Sequence, residues 1–335
     1  MWKLAIDLGS SMTKIYRADT SNGVVLAEPS CVAVAGVNKE IKAIGKDAKN
    51  LIGKTAEYTS IIYPVYEGEI VDLALAATML NEFLARVGVK GGARSRAQVL
   101  FSIPCGARKT VLDSYVNLAE ECGLKNVFFV EEPYLAALGG GAVLSNFDPV
   151  FCLDIGGGVT NVAVISADGI ISGLSMNIGG NNIDVNILEK VARINGLKIG
   201  PLTAERIKNE IGSLATGARG SIVAEGSSVE TSRPASVSVQ ATDVLDCIRV
   251  YIDKIVEYAS IVLRRLPAEV AATVNRNGVF LSGGIMKIPY ITQYISSKLE
   301  MRCHVCEEPQ YATVLGGGLI LRDKAMLSQF AKTFD

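Results

Sequence analysis

Two aspartates in this sequence stand where a carboxylate could serve a phosphate chain. Asp154 ends the apolar run Phe151-Cys-Leu-Asp154-Ile; Gly156-Gly157-Gly158 and Val159-Thr160 follow, and a second apolar run closes at Ile165. Glycine has no Cβ, so such a turn can bring several backbone N–H groups around an anion. Alone, strand–Asp–Gly turn–strand is the pattern of an ordinary hairpin. A second copy changes the reading. Asp7, Gly9 and Thr13 match Asp154, Gly156 and Thr160 at an offset of 154 − 7 = 147 residues. Two such units imply a duplicated fold. Facing each other across a cleft, they could clamp a polyphosphate and its metal, which makes a nucleotide site.

Around this pair the sequence alternates strands and helices, which predicts α/β architecture. Strands are expected near 24–34, 41–45, 99–103, 127–130, 278–282 and 302–306. Helices are expected over 46–54, 73–87 with Asp72 as N-cap, 107–122, 134–143, 183–195, 243–265 and 289–299. Thr203 is expected to cap a helix over 204–212. Residues 215–236, rich in Gly and Ser, read as a hairpin region, and Gly316-Gly317-Gly318 as a turn before a C-terminal helix. Glu131-Glu132-Pro133 falls at the carboxyl end of a buried strand, where ligands sit in open α/β sheets. From the residues alone, Glu132 is as well read as a strand-end carboxylate in an ion pair.

Composition narrows the function classes. The 335 residues, 49% hydrophobic and 20% charged, suffice for two domains with real cores. Basic and acidic residues number 33 and 34, so no global field recruits nucleic acid. No apolar run reaches membrane-span length, and the first strand starts too early for a signal or transit peptide. Seven scattered cysteines fit a reducing cytosol.

Two tempting motifs are rejected. Ala48–Thr55 imitates a Walker A loop but has one glycine and no room for the helix that must follow, given Pro64. Cys303-His304-Val305-Cys306 lies on a strand, where residues i and i+3 face opposite sides, and no second pair completes a tetrahedral site.

Taken in order, the segments Asp7–Thr13, Glu28-Pro29-Ser30, Glu131-Glu132-Pro133, Asp154–Thr160, Ala204–Ser213, Leu281–Gly284 and Val314–Gly318 resemble the actin/Hsp70/sugar-kinase superfamily of ATPases. Within it, nearly the whole chain is similar to the bacterial actin MreB family. The resemblance implies an actin-like ATPase fold: two RNase H-like domains flanking a nucleotide cleft, each with a smaller inserted subdomain. Domain I would span 1–143, with the C-terminal helix 312–335 returning to it, and domain II 144–311. It also implies ATP/ADP and Mg²⁺ as cofactors. Gly9, Ser10, Ser11, Met12 and Thr13, with Gly156, Gly157, Gly158, Val159 and Thr160, would wrap the β- and γ-phosphates. Asp7 and Asp154 would hold Mg²⁺ through waters, and Glu132 would orient the attacking water, making Glu132 and Asp154 the catalytic pair. Glu205 and Lys208 would meet ribose and adenine, although as an exposed helical pair they could simply bridge each other. Gly283, Gly284 and Ile285 would let the base approach the backbone.

The family forms ATP-dependent, commonly paired filaments in the bacterial cytoplasm that organise wall synthesis and rod shape. The implied partners are therefore further copies of the chain, the inner face of the membrane and membrane-bound morphogenesis proteins. Three departures stand out. Lys14 replaces an aliphatic residue and would add a cation at the phosphates. Val159 replaces a threonine that helps hold the attacking water. The loop that carries an apolar membrane anchor in relatives reads Gly91-Gly-Ala-Arg94-Ser-Arg96, an exposed basic loop offering only attraction to anionic lipid. The competing classes, a sugar-type kinase and an Hsp70-like chaperone, lack respectively a spare general-base aspartate and a peptide-binding domain. Pelleting with Mg-ATP separates them from a polymer.

Overall fold

The computed structural model describes residues 1–21, 23–54 and 58–332. Its frame is two five-stranded sheets. The first contains β1 (Lys3–Leu8), β2 (Met12–Arg17), β3 (Gly23–Pro29), β4 (Gln98–Ile103) and β5 (Asn126–Glu131). The second contains β6 (Val150–Ile155), β7 (Thr160–Ile165), β8 (Ile170–Met176), β9 (Val279–Ser282) and β10 (Cys303–Val305). Strand order is β3-β2-β1-β4-β5 in one and β8-β7-β6-β9-β10 in the other. In both, the leading strand pairs antiparallel with the second and parallel with the fourth. The repeat visible in the sequence is thus a repeat of topology. Each half also carries a small three-stranded sheet: Val32–Ala35, Glu40–Ile44 and Thr59–Ile62 in the first, Leu197–Lys198, Ser221–Ser228 and Pro234–Gln240 in the second.

Each half buries its own apolar cluster, one around Phe83, Phe101 and Tyr115, the other around Phe151, Ile187 and Ile252. A third cluster joins them, with Ala5 and Leu100 from the first sheet and Cys152 and Ala163 from the second packed about Leu135, Ala136 and Val314. Its centre is a crossing of two helices in equivalent places: Glu132–Gly139 follows β5, and Ala312–Arg322 follows β10.

That crossing corrects one expectation. Gly316, Gly317 and Gly318 form no turn; the helix Ala312–Arg322 runs through them, buried. Glycine in a helix interior costs about 1 kcal/mol relative to alanine, and tertiary contact overrides the local preference. A Cβ on Gly316 would lie 1.9 Å from the Leu135 carbonyl oxygen, and one on Gly139 would lie 1.8 Å from that of Ala312. Only glycine allows the two backbones this close.

Other differences are local. The helix expected over 204–212 runs Pro201–Ile211 with Gly200 as N-cap, so Thr203 sits inside it. A helix over Ala268–Asn277 follows Pro267, where no helix was expected. Asp72 caps Leu73–Arg86 as expected, accepting from the Leu75 N–H. Residues Gly91–Arg96 form a short 3₁₀ turn whose Arg94 points inward, donating to Asn81 Oδ1 at 2.5 Å; Arg96 alone of that arginine pair is exposed. Of the Walker-like segment, Lys46–Asn50 is helix and Thr55 lies outside the described residues, as do the last three of the proposed C-terminal helix. At the chain's end, Lys332 exchanges backbone hydrogen bonds with Phe129 of β5. Among the described residues, no helix is long and apolar enough to cross a membrane.

Candidate functional site

Between the halves lies a cleft of about 480 Å³. The two hairpin turns meet on its floor. Each is closed by the same bond, Gly9 N–H to the Met12 carbonyl at 3.2 Å and Gly156 N–H to the Val159 carbonyl at 2.9 Å. The turns abut so closely that a Cβ on Gly157 would lie 2.5 Å from Ser11 Oγ, and one on Gly158 would lie 2.8 Å from Ser10 Cβ. Ser11 Oγ also donates across the cleft to Asn181 Oδ1 at 2.8 Å.

Of the expected residues, the structure brings Asp7, Gly9, Ser10, Ser11, Met12, Lys14, Glu132, Asp154, Gly156, Gly157, Gly158, Val159, Glu205, Lys208, Gly283, Gly284 and Ile285 onto the cleft wall. Thr13 and Thr160 stand behind it, fully buried. Their hydroxyls are committed to Ser30 Oγ at 2.8 Å and to the Ile178 carbonyl at 2.6 Å, so they brace the turns rather than face a ligand. Glu205 and Lys208 do not bridge each other. Lys49 reaches from the first half to Glu205 at 2.6 Å, and Lys208 donates to Asp184 Oδ2 at 2.7 Å and to the Gly180 carbonyl at 3.2 Å. Gly283 is required by the fold itself: its φ is 95°, and a Cβ would lie 2.1 Å from the Ile155 carbonyl oxygen. Gly284 faces open space.

The charged centre is built on strand ends. Asp7 and Asp154 are the penultimate residues of β1 and β6, both buried, and each is held by a serine on the parallel neighbour. Ser102 Oγ donates to Asp7 Oδ1 at 3.3 Å and Ser282 Oγ to Asp154 Oδ1 at 2.8 Å. Lys14 Nζ lies 2.7 Å from Asp7 Oδ2. Burial alone would lower the lysine's pKa, but the Asp7 charge and hydrogen bond hold it above its ordinary value. Glu132 begins the crossing helix, and Asn161 Nδ2 donates to its Oε2. Desolvation pushes Glu132 up to about 8, with the charges of Asp7 and Asp154 adding and the Asn161 bond and Lys14 opposing. Desolvation likewise lifts Asp154 to about 6, against the Ser282 bond.

Only when Glu132 is ionised do the three carboxylates outnumber the one ammonium by two charges, and carboxylate oxygen is the donor that Mg²⁺ takes. Among the described residues no cluster of three or more His, Cys, Asp or Glu could hold a metal by itself. Mg²⁺ does not need one, because it keeps several waters and shares substrate phosphates. Both Asp7 oxygens already accept hydrogen bonds, from Lys14 and Ser102.

Sequence reading missed Asn161, Asn181, Ser102, Ser282, Lys49 and Gln310. The repeat could have exposed the first, since 14 + 147 = 161 makes Asn161 the counterpart of Lys14. It could also have paired Glu307-Glu308-Pro309, after β10, with Glu131-Glu132-Pro133, after β5.

Known proteins are similar to this chain in sequence and fold. The family described as MreB/Mbl protein matches residues 1–329. The cell shape-determining protein MreB of Escherichia coli K12 is 34% identical over 329 residues, covering 95% of this chain and 92% of its own. The crystal structure of MreB5 of Spiroplasma citri bound to AMPPNP superposes with a TM-score of 0.91 at 26% identity, covering 98% and 97% of the two chains. The MamK double helical filament shares the fold with a TM-score of 0.79 at 18% identity, covering 96% and 99%. With its tandem sheets, its facing glycine turns and a family match along nearly its full length, this chain belongs to the MreB/Mbl family of bacterial actins.

Proposed function

We propose that this chain binds ATP or ADP with Mg²⁺ in the cleft, assembles with copies of itself into filaments, and hydrolyses ATP slowly in the service of cell shape or spatial organisation. One observation carries the reading: Asp7, Glu132 and Asp154 line one cleft with two abutting glycine turns, and Asn161 holds the Glu132 carboxylate. The S. citri relative bound to AMPPNP and the cell-shape role named for the E. coli relative support it.

The residues divide the work. Backbone N–H groups of the turns and the Lys14 ammonium receive the phosphates. Asp154 would accept hydrogen bonds from waters around a bound Mg²⁺, and Asp7 holds Lys14 in place. Bound Mg²⁺ would supply neutralisation of charge on the phosphate oxygens. Glu132, in its ionised form, accepts a hydrogen bond from the attacking water and aligns it for in-line displacement, while Asn161 fixes the carboxylate. Cytoplasmic residence fits seven free cysteines. A membrane contact through the 91–96 turn rests on Lys90 and Arg96, since Arg94 is occupied by Asn81.

High-speed pelleting with and without Mg-ATP tests the reading. Wild type should sediment only with nucleotide and metal, and Asp154→Ala should lose both Mg-nucleotide affinity and assembly. Normal binding and sedimentation by that variant would refute the site.

A further inference from the structure

Glu132 stands where β5 gives way to the crossing helix, and a stretch from far along the chain grips that junction on both sides. After Ala312–Arg322 a short helix, Lys324–Phe330, leads into Ala331 and Lys332. β5 is an edge strand of the first sheet, and Lys332 takes its outer side at Phe129. The Phe129 N–H donates to the Lys332 carbonyl at 3.1 Å, and the Lys332 N–H donates to the Phe129 carbonyl at 2.9 Å. The Lys332 ammonium lies 3.6 Å from Glu131 Oε1, which also accepts the Gly106 N–H at 3.1 Å. Beyond Glu132, the Phe330 ring packs on Tyr134 with centroids 5.3 Å apart. The same stretch reaches the second half, where Gln329 Nε2 donates to the Ala167 carbonyl at 2.9 Å.

These contacts differ in weight. The Lys332 side chain is 57% exposed, so its charge on Glu131 contributes little. The paired backbone bonds and the ring contact hold the stretch, with Phe330 and Ala331 packed against the cluster that joins the halves. Asn161 fixes the far end of the Glu132 carboxylate, but the backbone that carries the side chain is set by its flanks. Phe129, Glu131 and Tyr134 are those flanks. A displacement of about 1 Å in a reacting group can cost about a hundredfold in rate.

Resting on the hydrolysis reading above, we infer that residues 329–332 form a clasp that positions Glu132 for its work on the attacking water. Phe330 and Lys332 are positioning residues. Neither lines the cleft, so they act on the rate through Glu132 and not on nucleotide affinity.

The test uses substitutions in the full chain. Lys332→Pro removes the N–H that bonds the Phe129 carbonyl, and Ala331 already has the extended backbone, φ −81° and ψ 133°, that a following proline requires. Phe330→Ala removes the ring. Each should slow single-turnover ATP hydrolysis about three- to tenfold, with Mg-ADP affinity by calorimetric titration within about twofold of wild type. Phe330→Tyr keeps the ring and should keep the wild-type rate. Wild-type hydrolysis in both Lys332→Pro and Phe330→Ala overturns the inference. A loss of Mg-ADP affinity that matches the loss of rate also overturns it, since the damage is then general. If wild type binds no Mg-ADP or leaves ATP intact, the reading above fails and takes this inference with it.

Discussion

Asn161 grips Glu132 from the opposite half of the molecule: its Nδ2 donates to the carboxylate, while its Oδ1 accepts the Cys105 N–H at 3.0 Å. The backbone bond fixes the orientation of the amide, so the nitrogen must face Glu132. Asn161 is 1% exposed on β7, where it has no other rotamer to fall into without abandoning a buried N–H. A hydrogen bond to a charged group is worth about 1.5–3 kcal/mol. Asn161→Ala should therefore slow single-turnover hydrolysis roughly ten- to a hundredfold, with nucleotide affinity nearly unchanged. Asn161→Asp should do worse, because a further carboxylate there repels Glu132. A wild-type rate in both variants would remove Asn161 from the mechanism.

Glu132 gives the protein a pH signature. Its folded-state pKa is raised from 4.5 to about 8 by desolvation and by the Asp7 and Asp154 charges. Raised acids favour the protonated form in the fold, so this contribution to stability is complete below the unfolded value and lost as pH rises through the folded one. The melting temperature of nucleotide-free protein should fall from mildly acidic pH to about pH 8 and above, and Glu132→Gln should flatten that decline. Hydrolysis should climb as pH passes through about 8, because only the ionised form orients water. Glu132→Gln should still bind ATP and assemble, releasing phosphate slowly.

Val159 lines the cleft where the family resemblance implies a threonine, and its Cγ2 lies close to Gly68. A hydroxyl there could bond the attacking water; a methyl cannot. One such bond, at about 0.5–1.5 kcal/mol, corresponds to roughly two- to tenfold in rate. Val159→Thr should speed single-turnover hydrolysis by that factor without tightening nucleotide binding. If instead the hydroxyl is shut in beside Gly68 without a partner, the variant will melt lower and hydrolyse no faster.

Lys49 reaches from the first half to Glu205 on the cleft wall, a bond between residues 156 positions apart. The pair is about one-third exposed, which limits it to about 1 kcal/mol or less. Lys49→Ala should accordingly accelerate release of a fluorescent nucleotide by up to about fivefold, and added salt should do the same to wild type while leaving Lys49→Ala unmoved. No change in release rate would show that the bond plays no part in exchange.

The two sheets were legible because strand periodicity and the Asp–Gly turns both survive duplication. What failed was local inference overruled by contact. Gly316–Gly318 reads as a turn by composition, yet the approach of Leu135 makes it helix. Thr13 and Thr160 look like phosphate ligands by position, yet Ser30 and the Ile178 carbonyl already hold them. Lys49 opposite Glu205 and Gln310 on the cleft wall depend on chain segments meeting in space, and nothing in their spacing announces it. The serines behind Asp7 and Asp154 were within reach, since β4 and β9 occupy the same place in each sheet.

Lys14 and Asn161 occupy one position of a repeated unit and have opposite allegiances, one a cation on Asp7, the other an amide on Glu132. A homodimer encoded by a single copy of that unit could not have arranged this. Every substitution would appear on both sides of the twofold axis at once, and a nucleotide, which has no symmetry, would meet two identical walls. Joining the copies in one chain lets each side drift separately. One half can specialise in charge and the other in orientation, and a ligand lying on the former axis has only one way round.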